Sequence, residues 1–395
     1  MQPLSIAYKY VDGTPLLLDV YPPVVQSPNA DVTQSGSRIA VPAILYFHGG
    51  GLTVGNRTSW FPAWLHRRVS DAGCVFVCVD YRLLPPSTGH DILSDIKDAI
   101  SFVAHKLDTI LGDRMNQTNI VHPTSHSIKP IIQIDRNAIA VVGTSAGGLC
   151  AYLAAMHAMP KPKVILSMYG MGGNLLTSHY MAPKTTVFFR GRELLDPNNF
   201  HDYIFPRSCS LPLTSDSALA YHPPTSPTPG FPANPRMFLA RLYLQLGTYM
   251  DYYTGCHEPS LSDALRSAAA NCSAQDIIKG APGTELPSIH LRSIIPPEHL
   301  LLFPQFGVTS NWPSTYLVHG SADTAVLADE SRYMYGLLQK AGVDVSLTIV
   351  EGKEHSFDYE SDAESIHGVE GGLFDTVAAS LLERLRAISS APPSD

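Results

Sequence analysis

Val141-Val142-Gly143-Thr144-Ser145-Ala146-Gly147-Gly148 sets one serine between two glycines, where an apolar, β-branched run meets a helix-like one. Residues Asn137 to Val142 read as a buried strand and Leu149 to His157 as a helix, so Ser145 falls where the chain must turn sharply. Gly143 and Gly147 leave room for that turn, and a serine so placed is lifted into reach of a substrate carbonyl. The plainer alternative is a glycine-rich helix entry without chemistry.

Upstream, Val41 to Phe47 is an apolar run sized for a buried strand, and it opens directly into His48-Gly49-Gly50-Gly51. Successive glycines let backbone N–H groups approach a substrate oxygen with no side chain in the way. Gly50 and Gly51, with the N–H of Ala146, are the expected oxyanion donors. A phosphate cradle fits poorly, because neither Gly-Lys-Ser/Thr nor a helix-opening Gly-x-Gly-x-x-Gly is present.

A base and an acid are expected downstream. Thr315 to Val318 reads as a strand running into His319-Gly320-Ser321-Ala322-Asp323, and Val345 to Val350 as the next strand, running toward His355. Loops at the carboxyl ends of parallel strands converge on one crevice, so Ser145, Asp323 and His355 can meet. Asp329 and Glu330 compete for the acid position but are better placed to open the next helix, where negative charge suits the N-terminal dipole.

The chain resembles the hormone-sensitive-lipase-like carboxylesterases of the α/β-hydrolase family over about residues 41–170 and 312–385. The resemblance rests on His48-Gly49-Gly50-Gly51, Asp80-Tyr81-Arg82-Leu83 with Pro85, Asp95, Gly143-Thr144-Ser145-Ala146-Gly147-Gly148 and the Asp323 and His355 segments. It implies an α/β-hydrolase fold: a mostly parallel central sheet with helices on both faces and a large inserted cap. It also implies that His48 and Gly49 support the oxyanion loop and that Asp80 is a buried structural carboxylate. Three departures stand out. Thr144 replaces the usual aspartate, matching a subgroup with Gly-Thr-Ser-Ala-Gly; Pro86 stands where the family usually has glutamate; and strands Leu4 to Val11 and Leu16 to Tyr21, joined at Asp12-Gly13, take the place of amino-terminal helices.

The 395 residues, 45% apolar and 16% charged, suit a large folded core rather than a disordered chain. A net charge of −8 and the lack of any basic run argue against nucleic acid as a partner. Six cysteines in so long a chain form no disulfide framework; Cys74 and Cys78 point to one face as small buried hydrophobes, and Cys150 sits behind Ser145. The start carries no recognisable signal peptide, so a cytoplasmic location is expected. Asn-x-Ser/Thr sequons at Asn56, Asn116 and Asn271, and the trio Cys209, Cys256 and Cys272, are the features that would suit secretion instead.

Along the chain, a polar loop from Gln26 to Arg38, helices near Ser59 to Ala72 and His90 to Leu107, a strand from Cys74 to Asp80 and a loop from Gly112 to Lys129 surround these anchors. A last helix from about Gly371 to Ile388 precedes a polar tail. The strand–helix alternation stops between Tyr169 and Pro313, which divides the chain into a core, 1–169 and 312–395, and an inserted cap, 170–311. The cap carries one clear helix, Pro235 to Tyr253, whose apolar surface packs on the core or lines a pocket, a dimer contact or a membrane contact. It is too short and broken to span a bilayer. Leu52, Phe238 and Tyr249 are the expected pocket residues.

Together these features predict ester hydrolysis through an acyl-enzyme, with Ser145 as nucleophile, His355 as base and Asp323 as its orienting acid, without metal or organic cofactor. The substrate is a small to medium, fairly apolar ester, and the chain is a monomer or homodimer with no stable membrane insertion. An acyltransferase, peptidase or arylformamidase would use the same three residues. A non-catalytic small-molecule receptor of this fold fits less well, because some such receptors have lost the base, and His355 is present.

Overall fold

Asp12 and Gly13 both take positive φ, 48° and 80°, the backbone that a two-residue hairpin turn requires. They join β1 (Leu4–Val11) to β2 (Thr14–Tyr21), and β2 pairs antiparallel with β4 (Val75–Val79). The computed structural model describes residues 2–24, 38–111, 131–220, 234–271 and 286–389. The loops expected at Gln26 to Arg38 and Gly112 to Lys129, the polar tail, and Asn116 and Cys272 fall wholly or mainly outside those residues.

Six parallel strands complete one eight-stranded sheet in the order β1-β2-β4-β3-β5-β6-β7-β8. They are β3 (Arg38–Phe47), β4, β5 (Ile131–Thr144), β6 (Val164–Met168), β7 (Ser314–Gly320) and β8 (Val345–Val350). Every residue of β4 and β6 is buried, as strands covered on both faces require. The pleat divides β3 between two cores: Ala43, Leu45 and Phe47 join one, while Ile44 and Tyr46 join the other. Cys74 and Cys78 lie buried together on the second face and Cys150 on the first. Cys209 and Cys256 are free thiols.

The first face is covered by α2 (Gly89–His105) and α3 (Ala146–His157), the second by α1 (Ala63–Asp71) and the last helix, Leu373–Ser389. Thr88 and Asp91 form a capping box that opens α2. β5 begins six residues before the expected Asn137. Its register against β3 shifts between Val41 and Ala43, at Pro42, which has no N–H to give the ladder.

The helix expected over Pro235 to Tyr253 is two. Gly247 adopts a left-handed φ of 67° and ends α4 (Arg236–Leu246), and α5 (Tyr249–Thr254) follows. A continuous apolar pattern concealed the break. Asp329 and Glu330 lie in the first turn of α6 (Ala328–Lys340), as expected of helix-opening carboxylates. Among the described residues no helix is long and apolar enough to cross a membrane.

Candidate active site

The sharp turn after β5 holds Ser145 at φ 55° and ψ −121°, a strained backbone for a residue with a side chain. Its N–H donates to the Met168 carbonyl and its own carbonyl accepts from Gly148 and Met171, so the turn is held from both sides. A Cβ on Gly143 would lie 1.9 Å from the Gly147 oxygen, and one on Gly147 would lie 2.0 Å from the Phe47 oxygen. Strand and helix therefore meet only because both positions are glycine.

Ser145 Oγ stands 2.9 Å from His355 Nε2, and His355 Nδ1 stands 2.6 Å from Asp323 Oδ2. A carboxylate beside Nδ1 fixes the proton there, which leaves Nε2 to accept from the serine hydroxyl. Asp323 is itself saturated: Oδ1 accepts from the N–H groups of Ala325 and Val326, and Oδ2 lies 3.2 Å from His319 Nε2. Burial opposes its charge, but His355, His319 and these hydrogen bonds outweigh burial and hold the carboxyl below its usual range. His319 had no signal in the sequence beyond its place at the end of β7. The edge of Tyr169 packs against the His355 ring at 4.8 Å, and its hydroxyl donates to Asp358, which also receives Trp64 Nε1.

The glycine loop after β3 faces the same point. Gly50 and Gly51 adopt φ of 103° and 62°, and added Cβ atoms would lie 2.1 Å from the Val54 oxygen and 2.2 Å from Ala240 Cβ. Only glycine fits this packed left-handed turn. Ala146 opens α3, where first-turn N–H groups have no partner within the helix. His48 lies buried and stacked on Tyr81, with centroids 4.4 Å apart, and Tyr81 donates to the His48 carbonyl. Burial lowers the His48 imidazole to about 4, so it is neutral. Asp80 is equally buried and receives the N–H and guanidinium of Arg57; burial still pushes its carboxyl up to about 7.

A cavity of about 160 Å³ lies over Ser145 and His355 and is walled by Gly49, Gly50, Gly51 and Trp60, with Tyr169, Met171, Tyr180, Met237, Phe238 and Tyr249. Phe238 and Tyr249 are where the sequence places them. Leu52 is not: its left-handed φ of 65° turns it into the core, where it is fully buried. Three wall residues had no sequence signal: Arg190 and Arg192, in a stretch without periodicity, and Arg241, hidden in the apolar pattern of α4. Among the described residues no group of three or more His, Cys, Asp or Glu side chains is arranged to hold a metal ion.

A parallel sheet with a strained serine turn, a histidine and an aspartate at its strand ends matches a known architecture, and a family model for the alpha/beta hydrolase fold matches residues 44–228. The chain has the α/β-hydrolase fold. A probable carboxylesterase of Phoma sp. is 30% identical over 165 residues, which are 41% of this hydrolase-fold chain and 45% of that protein. A non-reducing polyketide synthase of Penicillium brevicompactum is 24% identical over 356 residues, 88% of this chain but 14% of the synthase. The chain therefore spans less than half the length of either relative. Among solved structures, an esterase of Pyrobaculum calidifontis superposes with a TM-score of 0.50 at 18% identity, covering 98% of this chain and 85% of that one, a likeness of fold.

Proposed function

We propose that this protein of α/β-hydrolase fold is a serine carboxylesterase acting through an acyl-enzyme on small to medium, fairly apolar esters. The observation that carries the reading is the unbroken hydrogen-bonded series Ser145 Oγ, His355 and Asp323 at the floor of a cavity. His355 Nε2 takes the hydroxyl proton as Ser145 attacks the carbonyl, and Asp323 holds the imidazole in the accepting tautomer. The N–H groups of Gly50, Gly51 and Ala146 receive the oxyanion, a contribution worth about 3 kcal/mol per donor in comparable sites. His355 then returns the proton to the leaving alcohol, and water repeats the cycle on the acyl-serine. Residues 170–311 act as a cap that shapes the cavity, with α4 as its inner wall.

The reaction is tested with 4-nitrophenyl esters from acetate to palmitate, assayed on the native protein and Ser145→Ala. Hydrolysis of the shorter esters, lost in Ser145→Ala, is the expected result; equal rates in both proteins overturn it. The similarity to polyketide synthases across most of this chain favours one second reading. The acyl group would then be a polyketide chain and the acceptor a nucleophile other than water. Adding an alcohol during turnover separates the two by the ratio of transfer product to free acid.

A further inference from the structure

We propose that Arg241, with Arg192 beside it, selects substrates that carry an anionic oxygen group, such as a carboxylate, in addition to the ester carbonyl. This deepens the esterase reading and rests on it.

The inference comes from comparing arginines with little solvent exposure. Arg57 pairs with Asp19 and Asp80, and Arg82 with Asp91 and Asp95. Arg236 donates to the carbonyls of Thr53, Leu84 and Pro85. Arg241 is just as buried, at 8% exposure, yet among the described residues it has no carboxylate and no hydrogen-bond acceptor. Its one contact of note is the Phe238 ring, whose centroid lies 5.7 Å from the guanidinium carbon. A largely buried cation without a counter-charge is costly, and an anionic group bound in the cavity would supply the missing charge.

Arg241 and Phe238 both wall the cavity above Ser145, and so do Arg190 and Arg192. Glu354 neutralises Arg190 at 3.1 Å. Among the described residues Arg192, which is exposed, has no such partner, and it adds to burial in lowering the Arg241 guanidinium to about 10, still charged at neutral pH. Ala240, the residue before Arg241, presses against Gly51 of the oxyanion loop, so an anion held by Arg241 belongs to the molecule whose carbonyl sits there. The protein as a whole is acidic at −8, but field inside a low-dielectric cleft follows the nearest charges. A planar guanidinium can grip a carboxylate with two parallel hydrogen bonds, which also fixes the direction of the bound molecule.

Two matched pairs of substrates test the proposal and locate the anion. Mono-4-nitrophenyl glutarate against 4-nitrophenyl valerate places it on the acyl side; 4-acetoxybenzoate against 4-acetoxybenzamide places it on the leaving group. In the native protein kcat/KM is expected to favour the acid by about tenfold or more in one pair, the value of a charge-assisted hydrogen bond. Arg241→Met collapses that ratio and Arg241→Lys, which keeps the charge, restores part of it. A purely structural arginine would lower both members alike and leave the ratio standing, and that result, or no preference for the acid in either pair, overturns the proposal. Should no ester be hydrolysed, the esterase reading fails by itself and binding decides the rest. Ser145→Ala is then titrated with 4-phenylbutyrate and 4-phenylbutyramide: tighter binding of the acid that disappears with Arg241→Met upholds the anion site, and equal binding removes it.

Discussion

One imidazole faces two different oxygens at this site. Nδ1 of His355 meets a carboxylate and Nε2 a hydroxyl, so the proton has a defined starting place and a defined destination. Under the proposed mechanism Ser145→Ala and His355→Ala each lower kcat/KM for a short ester by about a thousandfold or more while circular dichroism stays native, because the pair acts as a unit. Asp323→Asn costs on a similar scale through the wrong tautomer, whereas Asp329→Asn, on the exposed first turn of α6, leaves the rate near native. A reversal of those last two would move the acid to Asp329. Asp323, held below the usual carboxylate range, stays ionised and adds no limb of its own to the pH profile of kcat/KM above about pH 4.

At the scale of elements, α4 joins the insertion to the oxyanion loop. Arg236 at its start holds the carbonyls of Thr53, Leu84 and Pro85, and Tyr249 just beyond it donates to the Gly51 carbonyl at 3.0 Å. Arg236→Met leaves buried carbonyls unsatisfied and is expected to lower stability by about 2–4 kcal/mol, read by urea unfolding. Phe238→Ala enlarges the cavity wall and shifts the preferred acyl chain upward in the 4-nitrophenyl series, with Ser145 still labelled by a fluorophosphonate. An unchanged series would make α4 scaffold alone. These elements also mark what the sequence could disclose. Strand, turn and helix around Ser145 were readable because each obeys local periodicity and turn chemistry. The break at Gly247 was not, because the apolar pattern runs through it and only the left-handed backbone reveals the stop. Leu52 misled for the same reason: its side-chain direction depends on a positive φ that its residue type disfavours.

Across the whole molecule, strands far apart in sequence bring β3, β5, β7 and β8 to one edge of the crevice, which is why spacing could name Ser145, Asp323 and His355 together. The arginines of the cavity could not be foreseen, since their meeting depends on tertiary packing alone. Packing also loads the interior with carboxyl groups. Glu330 accepts from Tyr180 and from the backbone of Gly172, tying the loop after β6 to α6, and burial pushes it up to about 8 despite those bonds. An acid whose folded pKa is raised binds its proton more tightly in the native state, so its contribution is complete below the unfolded value of about 4.3 and declines as pH rises toward 8. The stability of the native protein relative to Glu330→Gln therefore falls across that window, by up to about 1.4 kcal/mol per pH unit, in denaturation curves taken at successive pH. A difference independent of pH would mean that Glu330 ionises alike in both states.

The covalent step is the centre of the account, and it leaves a mark that can be weighed. Native protein mixed with 4-nitrophenyl acetate, quenched in acid during turnover and digested, is expected to yield the Ser145 peptide heavier by one acetyl group, absent from His355-intact protein carrying Ser145→Ala. Steady release of 4-nitrophenol with the acetyl group on another residue, or on none in a protein whose deacylation is shown to be the slow step, would contradict Ser145 as the nucleophile.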